Sequence, residues 1–198
     1  MPELSASHFN LFLLRNFLDA KTCQDLIGEM CSAPITQAPV YIAGSEGVIH
    51  EDVRKTTSSH PAEETTTQVQ NLMFAQKSAL EAHFGFSLTD CEPPQFLRYQ
   101  PGDFFVRHQD GNTDTLEFDH LRIRRVSLIA FLNDYAAEPK ENCYSGGALS
   151  FYDTKDPAAE SFPLLGEVGL LVAFRADTYH EVLPVTSGNR FTIISWFR

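Results

Sequence analysis

The chain has little of what would tie it to nucleic acid, a membrane or an oxidising compartment. Its 198 residues hold 15 basic side chains against 26 acidic ones, a formal net charge of −11. Phosphate contacts need a net basic surface, so this balance argues against broad binding to nucleic acid or anionic lipid. No run approaches the ~18 consecutive apolar residues of a membrane span. The opening MPELSASHF has no basic leader followed by a long apolar region, so no signal peptide is expected. The four cysteines, Cys23, Cys31, Cys91 and Cys143, show neither CxxC nor disulfide-framework spacing. Cys23 and Cys31 fall about two turns apart on one predicted helix, roughly 12 Å by helical rise and too far to bridge. Free thiols in a reducing cytoplasm are the expectation, and such a compartment would suit a ferrous site. LRIRR (121–125) is the local exception to the acidic balance, and a solvated strand start is expected there rather than an anion-binding patch.

What is present is an ordinary globular composition, 43% hydrophobic and 21% charged, with sixteen Phe concentrated in short runs. The length fits a single domain, 1–198, divisible into N-terminal strands and supporting helices (1–94) and a strand-rich core (95–198). FNLFLLRNF (9–17) reads as a strand, followed by a helix over DAKTCQDLIGEM with Asp19 or Thr22 as N-cap. PVYIA (39–43) reads as a short strand, and IAGSEGVIHEDVRKTTSS as a polar, Gly-punctuated mobile loop. A second helix is expected from about Pro61, with Val69, Leu72, Met73, Leu80 and Phe84 on one apolar face and Gly85 as its stop. His83 lies near that stripe as a satisfied boundary histidine. From residue 95 about eight apolar segments alternate with turns such as PGD, SGG and TSGN, without helical periodicity between them. That pattern predicts a mainly β fold, an antiparallel double-stranded β-helix (jelly roll) braced by helices on one side.

The chemistry concentrates in FFVRHQDG (104–111). Side chains two apart on a strand share a face, so His108 and Asp110 can meet one ion, and Gly111 lets the chain turn away. With seven His and 26 acidic residues, about one such His-x-acid pair is expected by chance. The second instance, His50-Glu51-Asp52, lacks a strand frame and partners and is taken as that chance pair. Of the other histidines only His180 begins a strand in the β-rich half. Two imidazoles and one carboxylate leave neighbouring positions open, an arrangement that suits ferrous iron. A closed structural zinc site would use four ligands, usually with thiolates. Ten residues past His180, Arg190 and Thr192 share a face of the last strand and offer a carboxylate a forked guanidinium beside a hydroxyl. A surface arginine at a hairpin is the plainer alternative for Arg190.

As an ordered set these residues resemble the 2-oxoglutarate- and iron(II)-dependent oxygenases, in their prolyl 4-hydroxylase-like branch, which includes the oxygen-sensing prolyl hydroxylases. The likeness runs from about Asn10 to Arg198: NLFLLRNFLDAKTCQDLI, YQPGDFFVRHQD, SLIAFLND, YSGGALSFYD and FRADTYHEVLPVTSGNRFTIISWF carry its landmarks in order. The resemblance implies a jelly-roll, cupin-like core in which His108, Asp110 and His180 ligate Fe(II). Arg190, assisted by Thr192, would bind the distal carboxylate of 2-oxoglutarate, with Tyr99 as a cosubstrate contact and Trp196 lining the pocket. It further implies O2 as oxidant, ascorbate as reductant, and hydroxylation of an unactivated C–H bond with release of succinate and carbon dioxide. Two departures stand out. Phe105 and Phe131 occupy positions where the oxygen-sensing enzymes carry tyrosines. Arg190 in place of Lys separates the chain from collagen-type enzymes, and Trp196 stands where nucleic-acid demethylases of the superfamily carry a second Arg.

A prolyl residue of a peptide or protein is the substrate the resemblance favours, with a free amino acid or other small molecule as the alternative. Residues 43–60 resemble the branch's loop that closes over a peptide, and 111–121 would form the opposite wall. Arg54 and Lys55 in the first could meet an acidic substrate. Two readings from other classes stay open: a non-catalytic metal-binding jelly roll, and a cupin-like dioxygenase whose substrate itself chelates the iron. The latter has no use for an anchor such as Arg190. The sequence leaves oligomeric state and biological pathway undetermined.

Overall fold

In the computed structural model, residues 4–42, 45–111, 121, 123–156 and 158–198 are described. The N-terminal part comprises β1 (Phe12–Leu14), α1 (Ala20–Ser32), β2 (Ile35–Gln37), β3 (Val40–Ile42), β4 (Ser45–Val48), β5 (Arg54–Lys55), β6 (Thr57–Ser59), α2 (Glu63–Phe74) and α3 (Lys77–Phe84). The remainder is strand: β7 (Gln95–Tyr99), β8 (Phe104–His108), β9 (Val126–Phe131), β10 (Ser145–Gly146), β11 (Leu149–Tyr152), β12 (Phe162–Leu164), β13 (Leu171–Arg175), β14 (Tyr179–Val182), β15 (Val185–Ser187) and β16 (Arg190–Phe197).

These strands form two main sheets. One orders β1-β13-β9-β16-β7-β6-β2, the other β12-β11-β14-β8-β5. All their pairings are antiparallel, as the turn-punctuated pattern requires. All six residues of β9 are buried, because helices cover one face of its sheet and the second sheet covers the other. Period-two alternation divides the core accordingly. Val126, Leu128, Ala130, Ile193 and Phe197 pack toward Met30, Met73 and Leu80 of the helices. Ile129, Phe131, Leu97, Val172 and Phe174 pack in a second cluster with Leu149, Phe151 and Val182 of the smaller sheet.

Several expectations are corrected. The segment read as a mobile loop holds three strands, β4, β5 and β6, two of which extend the main sheets at β8 and β7. Its polar composition misled because edge positions can be filled by Arg, Lys, Thr and Ser as well as by apolar residues. The single second helix is two. Gln76 N–H reaches Met73 O in a tighter turn, and α3 starts afresh from there. Leu72 lies within α2 beside the Val69–Met73 stripe and is 44% exposed rather than packed, while Val69, Met73 and Leu80 are buried. Gly85 does end α3, left-handed at φ 76. Asp19 is the cap of α1, its carboxylate accepting from Thr22 N–H at 2.8 Å. HEVLPV is split into β14 and β15 around Leu183 and Pro184. LRIRR is no solvated strand start at Arg124, which is 7% exposed and forks onto Glu92. Arg122 and most of 111–121, including His120, lie outside the described residues.

Candidate active site

The two strand ends that carry the histidines pair directly. His108 of β8 stands opposite His180 of β14 in register, and both imidazoles point between the sheets. Each Nδ1 lies against a carbonyl two residues back, His108 to Val106 O at 2.8 Å and His180 to Thr178 O at 2.9 Å. A carbonyl oxygen only accepts, so each Nδ1 carries the proton and each Nε2 keeps a lone pair turned inward. Asp110 follows β8, its N–H and that of Gly111 both donating to Ala176 O. Gly111 is needed for this close approach: a Cβ there would meet Leu121 O and Arg124 Cβ at 2.5 Å. The Asp110 carboxylate then sits 3.4 Å from His108 Nε2 and 3.5 Å from His180 Nε2. Donor atoms of the three residues lie within 4.8 Å of one another, the one such cluster among the described residues. His50 and Asp52 are exposed and belong to no cluster.

Electrostatics keeps these groups in the forms a metal needs. Burial alone would raise the Asp110 carboxyl, but His180, His108 and Arg124 together hold it well below the usual carboxylate range. Burial, with the charge of His108, pushes His180 down to about 4, so its imidazole is neutral near pH 7. Ser127 Oγ donates to Asp110 Oδ2 at 2.7 Å. Ser127 was missed from sequence: it comes from β9 in the other sheet, and no local motif marks it.

Across the cavity, β16 presents Arg190 and Thr192 on one face, opposite Tyr99 and Leu97 of β7. Arg190 is 1% exposed. Its Nη1 donates to Thr192 Oγ1 at 3.3 Å, and its Nε and Nη2 find no partner among the described residues. Phe131 and Tyr99 offer ring faces at 5.0 and 5.2 Å. The plainer reading of a surface arginine is thereby corrected. The cavity of about 350 Å³ is lined by His108, Asp110, His180, Arg190, Thr192, Tyr99, Trp196 and Arg54 together. Lys55 is not in its wall. That side chain is 45% exposed and lies 3.7 Å from Asp103. Trp196 is buried with Nε1 unpartnered, and Arg124 stacks on its ring at 3.6 Å. Phe105 stacks on His108 at 3.7 Å.

The donor set fits one divalent metal: two inward-turned Nε2 atoms and an ionised carboxylate converge, with unmet N–H groups lining the same cavity. With no thiolate and no fourth ligand in the cluster among the described residues, it suits an open iron site better than a closed zinc site. Fold and site together define a metal-binding jelly roll with a buried cationic anchor. A model of the 2OG-Fe(II) oxygenase superfamily matches residues 94–198, and the chain belongs to that superfamily.

PKHD-type hydroxylases are similar over about half of the chain. One from Janthinobacterium sp. (strain Marseille) is 33% identical over 105 residues, 52% of this chain and 42% of that protein. One from Paraburkholderia xenovorans (strain LB400) is 36% identical over 107 residues, 54% of this chain and 43% of its own length. The matched segment therefore spans under half of these relatives. Among solved structures, a Pseudomonas putida prolyl-4-hydroxylase superposes with a TM-score of 0.70 at 24% identity, covering 98% of this chain and 94% of the other. A Trichoplax adhaerens prolyl hydroxylase, in complex with a peptide fragment of the hypoxia inducible factor oxygen degradation domain, gives 0.70 at 16%, covering 97% and 84%. At these identities the superpositions carry the fold. Among the described residues no helix is long and apolar enough to cross a membrane.

Proposed function

We propose that the protein is an Fe(II)- and 2-oxoglutarate-dependent dioxygenase that hydroxylates an unactivated C–H bond, with a prolyl residue of a peptide or protein as the favoured substrate. The observation that carries this reading is the placement of His108, Asp110 and His180 in the same cavity as the unmet fork of Arg190. His108 Nε2, His180 Nε2 and an Asp110 carboxylate oxygen would hold the iron. Bound there, ferrous iron supplies the coupling of O2 reduction to decarboxylation of 2-oxoglutarate, giving succinate, carbon dioxide and a hydroxylated product.

The chain's own contribution is positional. Val106 O and Thr178 O accept hydrogen bonds from Nδ1, so the neutral imidazoles turn their Nε2 lone pairs to the metal position. Ser127 Oγ fixes one Asp110 oxygen. Arg190 Nε and Nη2 donate side-on to the far carboxylate of 2-oxoglutarate, while its Nη1 donates to Thr192 Oγ1, which steadies the guanidinium. Tyr99 closes the cosubstrate end, while Phe105 and Trp196 keep water from the reacting centre. The prolyl preference is supported by what the solved structures of this fold are named, a prolyl-4-hydroxylase and a prolyl hydroxylase with a peptide. A free amino acid is the second reading, and the single domain expected for 1–198 is the unit to which both refer.

The test is an anaerobic titration with Fe(II) and 2-oxoglutarate, following the weak visible absorption that a 2-oxo acid acquires on chelating ferrous iron. The absorption is expected in the wild type and absent in His108→Ala. A folded, iron-loaded wild type without it would refute the assignment.

A further inference from the structure

A second arginine opens onto the cavity, and 2-oxoglutarate leaves it unused. Arg54 lies on β5, opposite Phe105 of the metal-bearing strand. It is 6% exposed and lines the cavity. Its Nη1 donates to Pro39 O at 3.0 Å, and its guanidinium lies over the Phe105 ring at 4.9 Å. Phe105 in turn stacks on His108, so one ring touches both the guanidinium and a metal-site imidazole. Arg54 Nε and Nη2 have no partner among the described residues.

Those two N–H groups form the side-on edge of a guanidinium. Elsewhere in this chain that edge receives carboxylates. Arg124 gives it to Glu92 at 3.0 and 2.7 Å, and Arg175 gives it to Asp177 at 3.1 and 2.7 Å. Arg54 and Arg190 repeat one arrangement, each tethered through Nη1 and open at Nε and Nη2. The cavity's charge points the same way. Among the described residues, Arg54, Arg107, Arg124, Lys155 and Arg190 line it against a single carboxylate, Asp110, in a chain whose net charge is −11. Such a wall concentrates anions. Glu92 neutralises Arg124, whereas Arg107 is held by the carbonyls of Thr154 and Asp156 and keeps its charge uncompensated there.

2-Oxoglutarate has two carboxyl groups, one for the metal and one for Arg190. We propose that Arg54 is the receptor for a carboxylate of the other substrate, and that the enzyme oxidises a carbon close to an acidic group. This rests on the dioxygenase reading above and names its substrate class. The carboxylate is either the free α-carboxylate of the oxidised residue, as in an amino acid or a C-terminal residue, or the side chain of an adjacent Asp or Glu.

Three matched pairs separate these sources by calorimetric binding to the Fe(II)- and 2-oxoglutarate-loaded protein without oxygen. They are l-proline against l-prolinamide, Gly-Ala-Pro as free acid against its C-terminal amide, and Gly-Pro-Asp-Gly against Gly-Pro-Asn-Gly, both capped at each end. The acid of at least one pair binds at least tenfold more tightly than its neutral partner, and the pair that does so identifies the source. In Arg54→Gln the difference shrinks below threefold. Absence of any acid preference in the wild type, or its survival in Arg54→Gln, overturns the proposal. If Arg54→Gln does not fold, Arg54→Lys takes its place: it keeps a cation without the fork, and a preference undiminished there overturns the side-on receptor. Loading is checked first by the visible absorption. If that step fails, the dioxygenase reading fails, and the same pairs are compared on the metal-free protein, where the Arg54 edge still discriminates.

Discussion

Replacing Arg190 by Met should stabilise the ligand-free protein while weakening its hold on 2-oxoglutarate, two opposite effects of one change. The guanidinium is 1% exposed and makes one long bond, 3.3 Å to Thr192 Oγ1, with Nε and Nη2 unmet. An unpaired buried cation costs several kcal/mol even after relaxation. Ring faces of Phe131 and Tyr99 at 5.0 and 5.2 Å recover about 0.5–2 kcal/mol of this. Met has a similar reach and suits the apolar wall, so the ligand-free variant should gain about 1–3 kcal/mol. For a chain of this size that is a melting temperature higher by about 3–8 °C. A carboxylate forked onto Arg190 makes two charge-assisted bonds of about 1.5–3 kcal/mol each, so affinity for 2-oxoglutarate should fall by roughly two to four orders of magnitude. The assay is a thermal melt of metal-free protein with and without 2-oxoglutarate, beside the anaerobic iron titration. A ligand-free variant that melts below the wild type would show that Arg190 is already satisfied within the protein. Binding within threefold of wild type would remove it from the cosubstrate site.

Three further outcomes are expected. Arg124→Met breaks the buried pair with Glu92, leaving that carboxylate only Arg198 Nε at 3.3 Å, and should cost about 3 kcal/mol in a denaturant melt. The double variant Glu92→Met with Arg124→Met should regain most of it, and equal loss in both would locate the effect in packing against Trp196 instead. Burial pushes the Cys23 thiol up to about 11, while Cys31 is exposed, so iodoacetamide at pH 8 should label Cys31 and spare Cys23 in the folded protein; peptide mapping that finds Cys23 labelled at the same rate would contradict the burial of α1. His180 is depressed to about 4 from 6.5, so between those values the unfolded chain takes up a proton that the folded chain refuses. Stability of the metal-free protein is therefore full above pH 6.5 and falls as pH drops toward 4, by about 3 kcal/mol from this group. Guanidinium melts at pH 7 and 4.5 should show that loss in the wild type and a smaller one in His180→Phe.

Much of this site was legible because its chemistry follows the two-residue period of a strand. His108 with Asp110, and Arg190 with Thr192, each share a face wherever the strand lies, so spacing made them candidates, and their order along the chain, with its family resemblance, set them apart from His50 and Asp52. The jelly roll was legible for a related reason: apolar segments separated by turns, with no helical period between, leave few antiparallel solutions. Other parts depended on partners from distant sequence. The break between α2 and α3 is a single tightened turn at Met73–Gln76 that no residue type announces. Arg124 looked like surface charge because its partner, Glu92, is 32 residues away. Ser127 acts on Asp110 only because β9 and β8 face each other across the cavity.

The polar segment 43–60 carries the larger lesson. Its composition reads as solvent-facing, yet β5 extends the sheet that bears His108, and that pairing buries Arg54 against Phe105. A backbone ladder is blind to side-chain polarity, so a strand can be recruited by its neighbour's free edge and carry a charged residue into a closed space. The phenylalanine at 105, noted as a departure from oxygen-sensing relatives, then has a physical consequence. A ring without a hydroxyl stacks flat on His108 and offers its face to Arg54, leaving the guanidinium's open edge to be met by a ligand. Phe105→Tyr adds a hydroxyl at the ring edge without removing the face. If the stack sets the position of Arg54, that variant should alter the acid-over-neutral preference of the substrate pairs while 2-oxoglutarate affinity, governed from β16, changes by less than threefold.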